Sequence, residues 1–537
     1  MKTKFALMFG VLPLLLGGCY FLIPNKTTSS SGDKSESNSS SGESNSSDSS
    51  SNYSSSEAEK GVIPIEIYAT NDIHGAIEEE SSRASVPKLM TYLNEKGKNP
   101  NTLLIDQGDT WQGSIYSNYN HGELITDLMN YVQFDARSVG NHDFDWGVDY
   151  IKTNTAKSYD GYSTPVLAGN VYDYDFDTKT EGTIQQSDIG IKSVTYRLEN
   201  GLKVGILGGI GNSQITSITS SYTRDICFKN HIEFIKDEAT HLKNDEHCNI
   251  IIASIHEGQE GLIGNGLEDY VDLVLCGHTH RQENYHEGNL YYSQSRAYTQ
   301  SLAHITLLYD YNTGDVTETT IENITGYTVR NETSTADPTI QAITNQYMSD
   351  CQEAADEYVA TNVYGTFESD DQYPNLMCKA IFDECVEEGF DDVLVTYVNK
   401  ARVTNYSSAW KYSHLYEGFP FDNQVFIAEI TGSEFLREIG WYNHIYRNPN
   451  FTSNDINPNG KYKIAVLDYL YFHTNELRYY DYFPTTGGTS YVTLDKNYRE
   501  ILRDWLKDNG YANGKELLAA DYSSSLWNHD RTLFTSI

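Results

Sequence analysis

The chain has 537 residues, more than one hydrophobic core usually serves, so two folded domains with tails are expected. Its 75 acidic against 38 basic residues give a formal charge of −37, which excludes nucleic-acid polymers and anionic lipid surfaces as bulk electrostatic partners. Small anions remain admissible, because a bound divalent cation reverses the sign locally.

Met1-Lys-Thr-Lys4, followed by an uncharged apolar run from Phe5 to Gly18, predicts an export signal over 1–18 that is too short to span a bilayer. The run ends Leu16-Gly-Gly-Cys19, which resembles the lipobox of bacterial lipoproteins. That resemblance makes Cys19 the acylated N-terminus after cleavage and the membrane anchor, on the outer side of the membrane. The rest of 19–60, above all Lys26 to Lys60, is serine-dominated and nearly free of apolar side chains, the composition of a flexible tether. Six further cysteines contain no Cys-x-x-Cys; Cys378 and Cys385, if they share a helix, stand about 10 Å apart and outside disulfide reach.

Between Ile65 and about Asn323 short apolar runs recur: Ile65–Ala69, Thr102–Asp106, Leu202–Leu207, Ile250–Ser254 and Val271–Leu275. They predict buried strands of an α/β sheet, each running into polar, glycine-containing sequence at the strand end where such sheets collect ligands. Asp337-Pro338 opens a helical pattern reaching about Ala360, with an N-cap followed by proline at the first position, and reads as an interdomain connector. A second α/β unit is expected from about Thr366 to the C-terminus, with a strand at Asp392–Thr396 and a helix near Asn497–Asn509.

The motifs sit at the ends of those strands. Asp72-Ile-His74 places a carboxylate and an imidazole in one loop, and Asp106-Gln-Gly-Asp109 uses glycine to turn a carboxylate into the same space. In Gly140-Asn-His-Asp143 the asparagine supplies a neutral carbonyl donor; His256 ends a strand, and Gly277-His-Thr-His280 carries two imidazoles that can face different cations. Seven oxygen and nitrogen donors, Asp72, His74, Asp109, Asn141, His256, His278 and His280, make a site for two divalent ions such as Zn, Mn or Co. Two ions so held can clamp a phosphate and activate a water, so hydrolysis of a phosphate ester is the expected reaction.

This order of motifs is similar to the calcineurin-like metallophosphoesterases, and Phe144-Asp145 after His142 resembles their 5'-nucleotidase branch. The resemblance implies a four-layer α/β/β/α domain over 61–330, a connector over 331–365 and a smaller α/β substrate-binding domain over 366–537, an α/β (α+β) chain overall. It also implies that Asp72, His74, Asp109 and His280 hold one metal and Asp109, Asn141, His256 and His278 the other, with Asp109 bridging. By the same resemblance His142 is catalytic rather than a ligand, oriented by Asp145 and favoured as the cation.

The second half resembles the substrate domain of 5'-nucleotidases and 2',3'-cyclic-nucleotide phosphodiesterases through Asn399-Lys-Ala-Arg402, Phe419-Pro-Phe-Asp-Asn423 and Phe483-Pro-Thr-Thr-Gly-Gly488. It implies that Phe421 and Phe483 stack on a nucleobase, that Arg402 meets the phosphate, and that Asn423 belongs to the substrate site. Thr489 stands where the family usually has an aspartate for ribose hydroxyls, and no Lys or Arg occurs between Arg330 and Lys379, where a second phosphate-binding arginine is usual. The expected activity is metal-dependent hydrolysis of extracellular nucleotides. The enzymatic alternatives are a 2',3'-cyclic-nucleotide 2'-phosphodiesterase with 3'-nucleotidase activity or a nucleotide-sugar pyrophosphatase. The non-enzymatic alternative, a surface nucleotide-binding lipoprotein, is disfavoured because no metal ligand is missing.

Overall fold

The computed structural model describes residues 61–175, 178–438, 445–447, 456–471 and 491–523. The leader, Cys19, the tether, Phe483 and Thr489 lie outside the described residues.

All five apolar runs are strands, and they belong to two six-stranded sheets. The first runs, edge to edge, Asp315–Thr325, Ser301–Asp310, Val62–Thr70, Thr102–Asp106, Ala136–Ser138 and Val166–Leu167, its last four strands parallel. The second runs Glu283–Glu287, Leu290–Gln294, Leu273–Cys276, Ile250–His256, Lys203–Ile210 and Ser193–Arg197, with the middle four parallel. Period-2 alternation decides what faces what. Ile65, Ile67 and Ala69 point toward Ile206, Ile250, Ile252 and Leu273 in a dry layer between the sheets. On the outer face of the first sheet Leu104 packs with Leu89, Leu93, Leu124 and Leu128, from the helices Val86–Lys96 and Glu123–Val132. On the outer face of the second, Ile251, Ala253 and Val274 pack on Ile235, Ala239 and Leu242 of the helix His231–Asn244. The result is the helix–sheet–sheet–helix order that the family resemblance implies.

The strand expected at Leu202–Leu207 runs on through Gly208 and Gly209 to Ile210. Glycine is required there by close approach: a Cβ at Gly208 would lie 2.6 Å from the side chains of Leu167 and Ser138 on the facing sheet. Ser138 Oγ donates to the Ser254 carbonyl at 2.7 Å, so the two sheets are tied together near the carboxyl ends of their strands, below the motif loops.

The connector helix spans Pro338–Ala355, with Asp337 accepting from the amides of Thr339 and Ile340 at 2.8 and 3.2 Å. It stops short of Ala360, because Tyr358–Ala360 is a strand paired with Trp410–Lys411. Beyond it a five-stranded sheet is ordered Ile445–Arg447, Val393–Tyr397, Lys461–Leu467, Gln424–Thr431, Tyr491–Asn497, and the helices Gln372–Glu387 and Tyr498–Asp508 share its core. Asn497 caps the latter helix by accepting from the Glu500 amide at 3.0 Å. Cys378 and Cys385 both lie on Gln372–Glu387, and neither is in a disulfide. A three-stranded sheet of Val171–Asp175, Thr180–Gln185 and Ile226–Phe228 is an addition to the expected elements.

If the dry layer between the sheets carries the first half, Ile67→Ala should destabilise the protein by about 2–5 kcal/mol, the usual cost of an unfilled buried isoleucine. A urea midpoint equal to that of the parent protein would count against that assignment.

Candidate active site

Each motif residue emerges where a parallel strand ends. Asp72 and His74 follow Val62–Thr70, Asp109 follows Thr102–Asp106, and Asn141 follows the short strand Ala136–Ser138; His256 ends Ile250–His256, and His278 and His280 follow Leu273–Cys276. Asp72, His74, Asp109, His278 and His280 all adopt positive φ, from +50° to +75°. That left-handed region costs a residue with a Cβ on the order of 1–3 kcal/mol and persists only where the surroundings impose it. Its use here reverses the chain in one step and returns each side chain over the sheet edge. Gly140 completes the crowding: a Cβ there would meet Asp109 Oδ1 at 2.2 Å.

The seven side chains converge. His74 Nε2 lies 3.0 Å from His280 Nε2, 4.0 Å from Asp72 Oδ1 and 3.8 Å from Asp109 Oδ2. His256 Nε2 lies 3.2 Å from both Asp109 Oδ2 and Asn141 Oδ1, and His278 Nδ1 is 2.9 Å from the same amide oxygen. Donor atoms group as Asp72, His74 and His280 on one side and Asp109, His256 and His278 on the other, two sets each compact enough for one cation. Asp109 Oδ2, between them, is buried without a hydrogen-bond partner.

Orientation and charge fit cation binding. His74 Nδ1 meets the Gln112 carbonyl at 2.8 Å and His256 Nδ1 the Gln107 carbonyl at 2.7 Å; a carbonyl only accepts, so the proton sits on Nδ1 and Nε2 faces the cluster. Burial holds His74 well below the ordinary imidazole range, His278 down to about 3 and His280 down to about 4. Burial also pushes Asp72 up to about 7. For His256 burial opposes the charge, but Asp109 and Asp72 outweigh it and raise it to about 10. Asp109, whose burial alone would raise it, is held well below the carboxylate range by His256, His142 and His74. Two buried carboxylates here demand positive charge, and a divalent cation meets that demand better than a proton on a potential ligand.

A layer behind the donors fixes them. Asn71 donates to Asp72 Oδ2 at 2.6 Å and to the Ser295 carbonyl at 3.0 Å. Asp106 accepts from Thr70, Gly108 and Thr110, and Arg137 donates to Thr110 Oγ1 at 2.9 Å, lies 2.5 Å from Asp143 Oδ2 and packs over the Trp111 ring. Arg137 is legible in principle as a charge inside a buried strand, although no motif points to it. Tyr298, also at positive φ, stacks on His74 with ring centroids 5.1 Å apart and meets His280 edge-on at 5.3 Å. No sequence signal separates it from the 42 tyrosines of the chain.

His142 Nδ1 lies 2.8 Å from Asp145 Oδ2, while Nε2 lies 2.9 Å from Arg402 Nη2. A guanidinium has no acceptor, so in this arrangement Nε2 accepts and the imidazole proton is on Nδ1, toward Asp145. Phe421 stacks on His142 at 5.2 Å, with Arg402 4.9 Å over the Phe421 ring. Asn423 is buried and its amide donates to Asp468 Oδ1 at 2.8 Å, so it braces the loop as well as lining the cavity. That cavity, of about 300 Å³, runs from Asn141, His142 and His278 to Arg402, Phe421 and Tyr469. Tyr469 and Tyr222 are aromatic lining residues that the motifs do not indicate.

Comparison with known proteins gives this geometry a family. The chain is 29% identical over 236 residues to the 5'-nucleotidase of Homo sapiens, covering 41% of this chain and 38% of that protein. It is 21% identical over 408 residues to the trifunctional nucleotide phosphoesterase protein YfkN of Bacillus subtilis, covering 70% and 27%. Both alignments thus span well under half of the relatives' length. In fold it is similar to a 5'-nucleotidase precursor from Thermus thermophilus, with TM-score 0.66, 16% identity, and 85% and 97% of the two chains covered. It is also similar to a 5'-nucleotidase from Candida albicans, with TM-score 0.56, 12% identity, and 84% and 98% covered. Residues 65–282 match the calcineurin-like phosphoesterase model, so this part of the chain is a calcineurin-like phosphoesterase domain.

Proposed function

We propose that the protein is a metal-dependent hydrolase of nucleotide phosphate esters, of the 5'-nucleotidase type, releasing nucleoside and phosphate. The observation that carries this reading is the cavity that joins the Asp/His cluster to an arginine and an aromatic face. Two divalent cations, one held by Asp72, His74, Asp109 and His280 and the other by Asp109, Asn141, His256 and His278, would supply Lewis-acid activation of the phosphate and of a water.

The remaining work falls to the chain. Arg402 offers a planar fork of donors to phosphate oxygens, and in an acidic protein it concentrates positive potential at the cavity. A phosphate that engages Arg402 draws it away from His142 Nε2, which leaves that nitrogen free to take up a proton from solvent and donate it to the leaving ester oxygen, while Asp145 keeps the ring aligned through Nδ1. Phe421 presents a flat apolar face suited to any nucleobase. The human 5'-nucleotidase relative and the fold of the Thermus and Candida proteins support this reading. A second reading, cyclic-nucleotide phosphodiesterase with 3'-nucleotidase activity, is favoured by the longer alignment with the trifunctional nucleotide phosphoesterase YfkN. Nucleotide-sugar pyrophosphatase activity is compatible with the same cation sites.

We also place the protein outside the cytoplasm on a lipid anchor. The apolar leader ending in Cys19 supports this, and no helix among the described residues is long and apolar enough to cross a membrane. Cys19→Ser should move the protein from the membrane to the soluble fraction; membrane retention of that variant would refute the anchor.

Activity should vanish on chelation and return with Zn, Mn or Co. Asn141→Ala should lower bound metal, whereas His142→Ala should retain it and lose on the order of 10²-fold in kcat. Elemental analysis showing His142→Ala stripped of metal would reverse the two roles. A panel of 5'-, 3'- and 2',3'-cyclic nucleotides and nucleotide sugars ranks the substrate readings by kcat/KM. On the best nucleotide, Phe421→Ala should raise KM by an amount equivalent to roughly 1–3 kcal/mol while leaving turnover of a small aryl phosphate nearly unchanged. Equal losses on both substrates would remove Phe421 from base recognition.

A further inference from the structure

Arg499 lies in the first turn of the helix Tyr498–Asp508, belongs to none of the motifs above, and is only 1% exposed. Its guanidinium donates to the carbonyls of Phe419 and Phe421 at 2.9 and 2.7 Å and to the carboxylate of Asp422, and it lies 3.5 Å over the Tyr416 ring. The preceding residue is tied as well, since the Tyr498 amide donates to the Asn423 carbonyl at 3.1 Å. One buried cation therefore holds three acceptors of the 419–422 turn.

The opposite side of that turn meets the loops of the first half. Asn118 Nδ2 donates to the Pro420 carbonyl at 2.7 Å, and Trp146 Nε1 donates to Asp422 Oδ2 at 3.0 Å. Asp422 thus gives one oxygen to Arg499 and the other to Trp146, and Phe421, between these attachments, is stacked on His142. A buried charge is tolerated only where acceptors surround it, so the turn has little freedom to leave Arg499 without stranding the guanidinium. A core residue with only a filling role would not need charge: leucine or methionine would occupy the volume without desolvation. Nor does lysine substitute, because a point charge lacks the fork that reaches two carbonyls and a carboxylate together.

We propose that Arg499 is a positioning residue for substrate grip: by holding the carbonyls of Phe419 and Phe421 and the carboxylate of Asp422, it sets the Phe421 ring against His142 and fixes the leaving-group end of the cavity. The proposal rests on the nucleotide reading only for which leaving group is gripped. The backbone of Arg402 is anchored elsewhere, its amide bonding to the Gly418 carbonyl at 2.8 Å just outside the turn, so Arg499 does not itself hold the phosphate-facing arginine.

The test uses the metal-loaded protein with Arg499→Lys and, as an isosteric second variant, Asp422→Asn. Hydrogen–deuterium exchange in peptides covering 415–424 should accelerate by about tenfold in Arg499→Lys, with exchange in 250–256 unchanged. KM for AMP should rise by about tenfold, while kcat for p-nitrophenyl phosphate stays within about twofold. Asp422→Asn should move both readouts in the same direction by less. If Arg499→Lys does not fold, Asp422→Asn decides by the same measurements. Unchanged exchange around the turn, or an unchanged KM for AMP despite faster exchange, overturns the proposal. If the parent protein turns over no AMP, the nucleotide reading falls, and the exchange arm alone still accepts or rejects Arg499 as the support of the turn.

Discussion

Two carboxylates, Asp72 and Asp109, are buried in one cluster, and uncompensated charge at such a place is prohibitive. Much of the first half can be understood as what this requires. Four imidazoles and an amide oxygen surround the pair, backbone carbonyls fix the face that His74 and His256 present, and five of the donors sit in a left-handed backbone that no isolated loop would choose. The strain is sustained because the two sheets beneath are closely packed and tied through Ser138 and Ser254. A rigid base is what allows loops to hold like charges together.

The same constraint explains the residues one layer out. Asp106 and Asp143 add further buried negative charge, and Arg137 lies beside Asp143 while bonding Thr110, the residue that follows Asp109. Arg137 thereby couples the loop of Asp109 to the loop of Asn141 without touching a cation site itself. Tyr298 does a comparable job by shape, walling His74 and His280 from one side. Removing either would loosen donors that are themselves intact, which is how outer groups tune a metal site.

The donors were legible in the sequence because each lies within a few residues of an apolar run that had to be a buried strand, and glycine marks most of the turns. Layer order came with the family resemblance that those motifs carry. What stayed hidden is non-local or lacks an apolar face. Thr180–Gln185 is exposed along most of its length, so its strand carries no hydrophobic period, and the helix expected to reach Ala360 ends early because Tyr358–Ala360 finds a partner strand far along the chain at Trp410–Lys411. Arg499 reads in sequence as one more cation in an amphipathic helix; its meaning depends on carbonyls near position 420. Trp146 and Asn118 are likewise meaningful only once the turn from the second half arrives beside them.

That meeting of halves determines what kind of enzyme the arrangement can be. The cation cluster by itself is indifferent to the leaving group, since it addresses only phosphate oxygens and water. Selectivity must come from whatever lies on the far side of the phosphate, and here that is a turn carrying Phe421, placed against the same histidine whose Nε2 meets Arg402. His142 is therefore shared: Asp145 on its own loop orients it, Arg402 from the second half occupies its other nitrogen, and Phe421 covers its face. On the proposed reading, a substrate lacking a base would still meet the cation cluster and Arg402 and would forgo only the aromatic face that Phe421 presents beside the same imidazole.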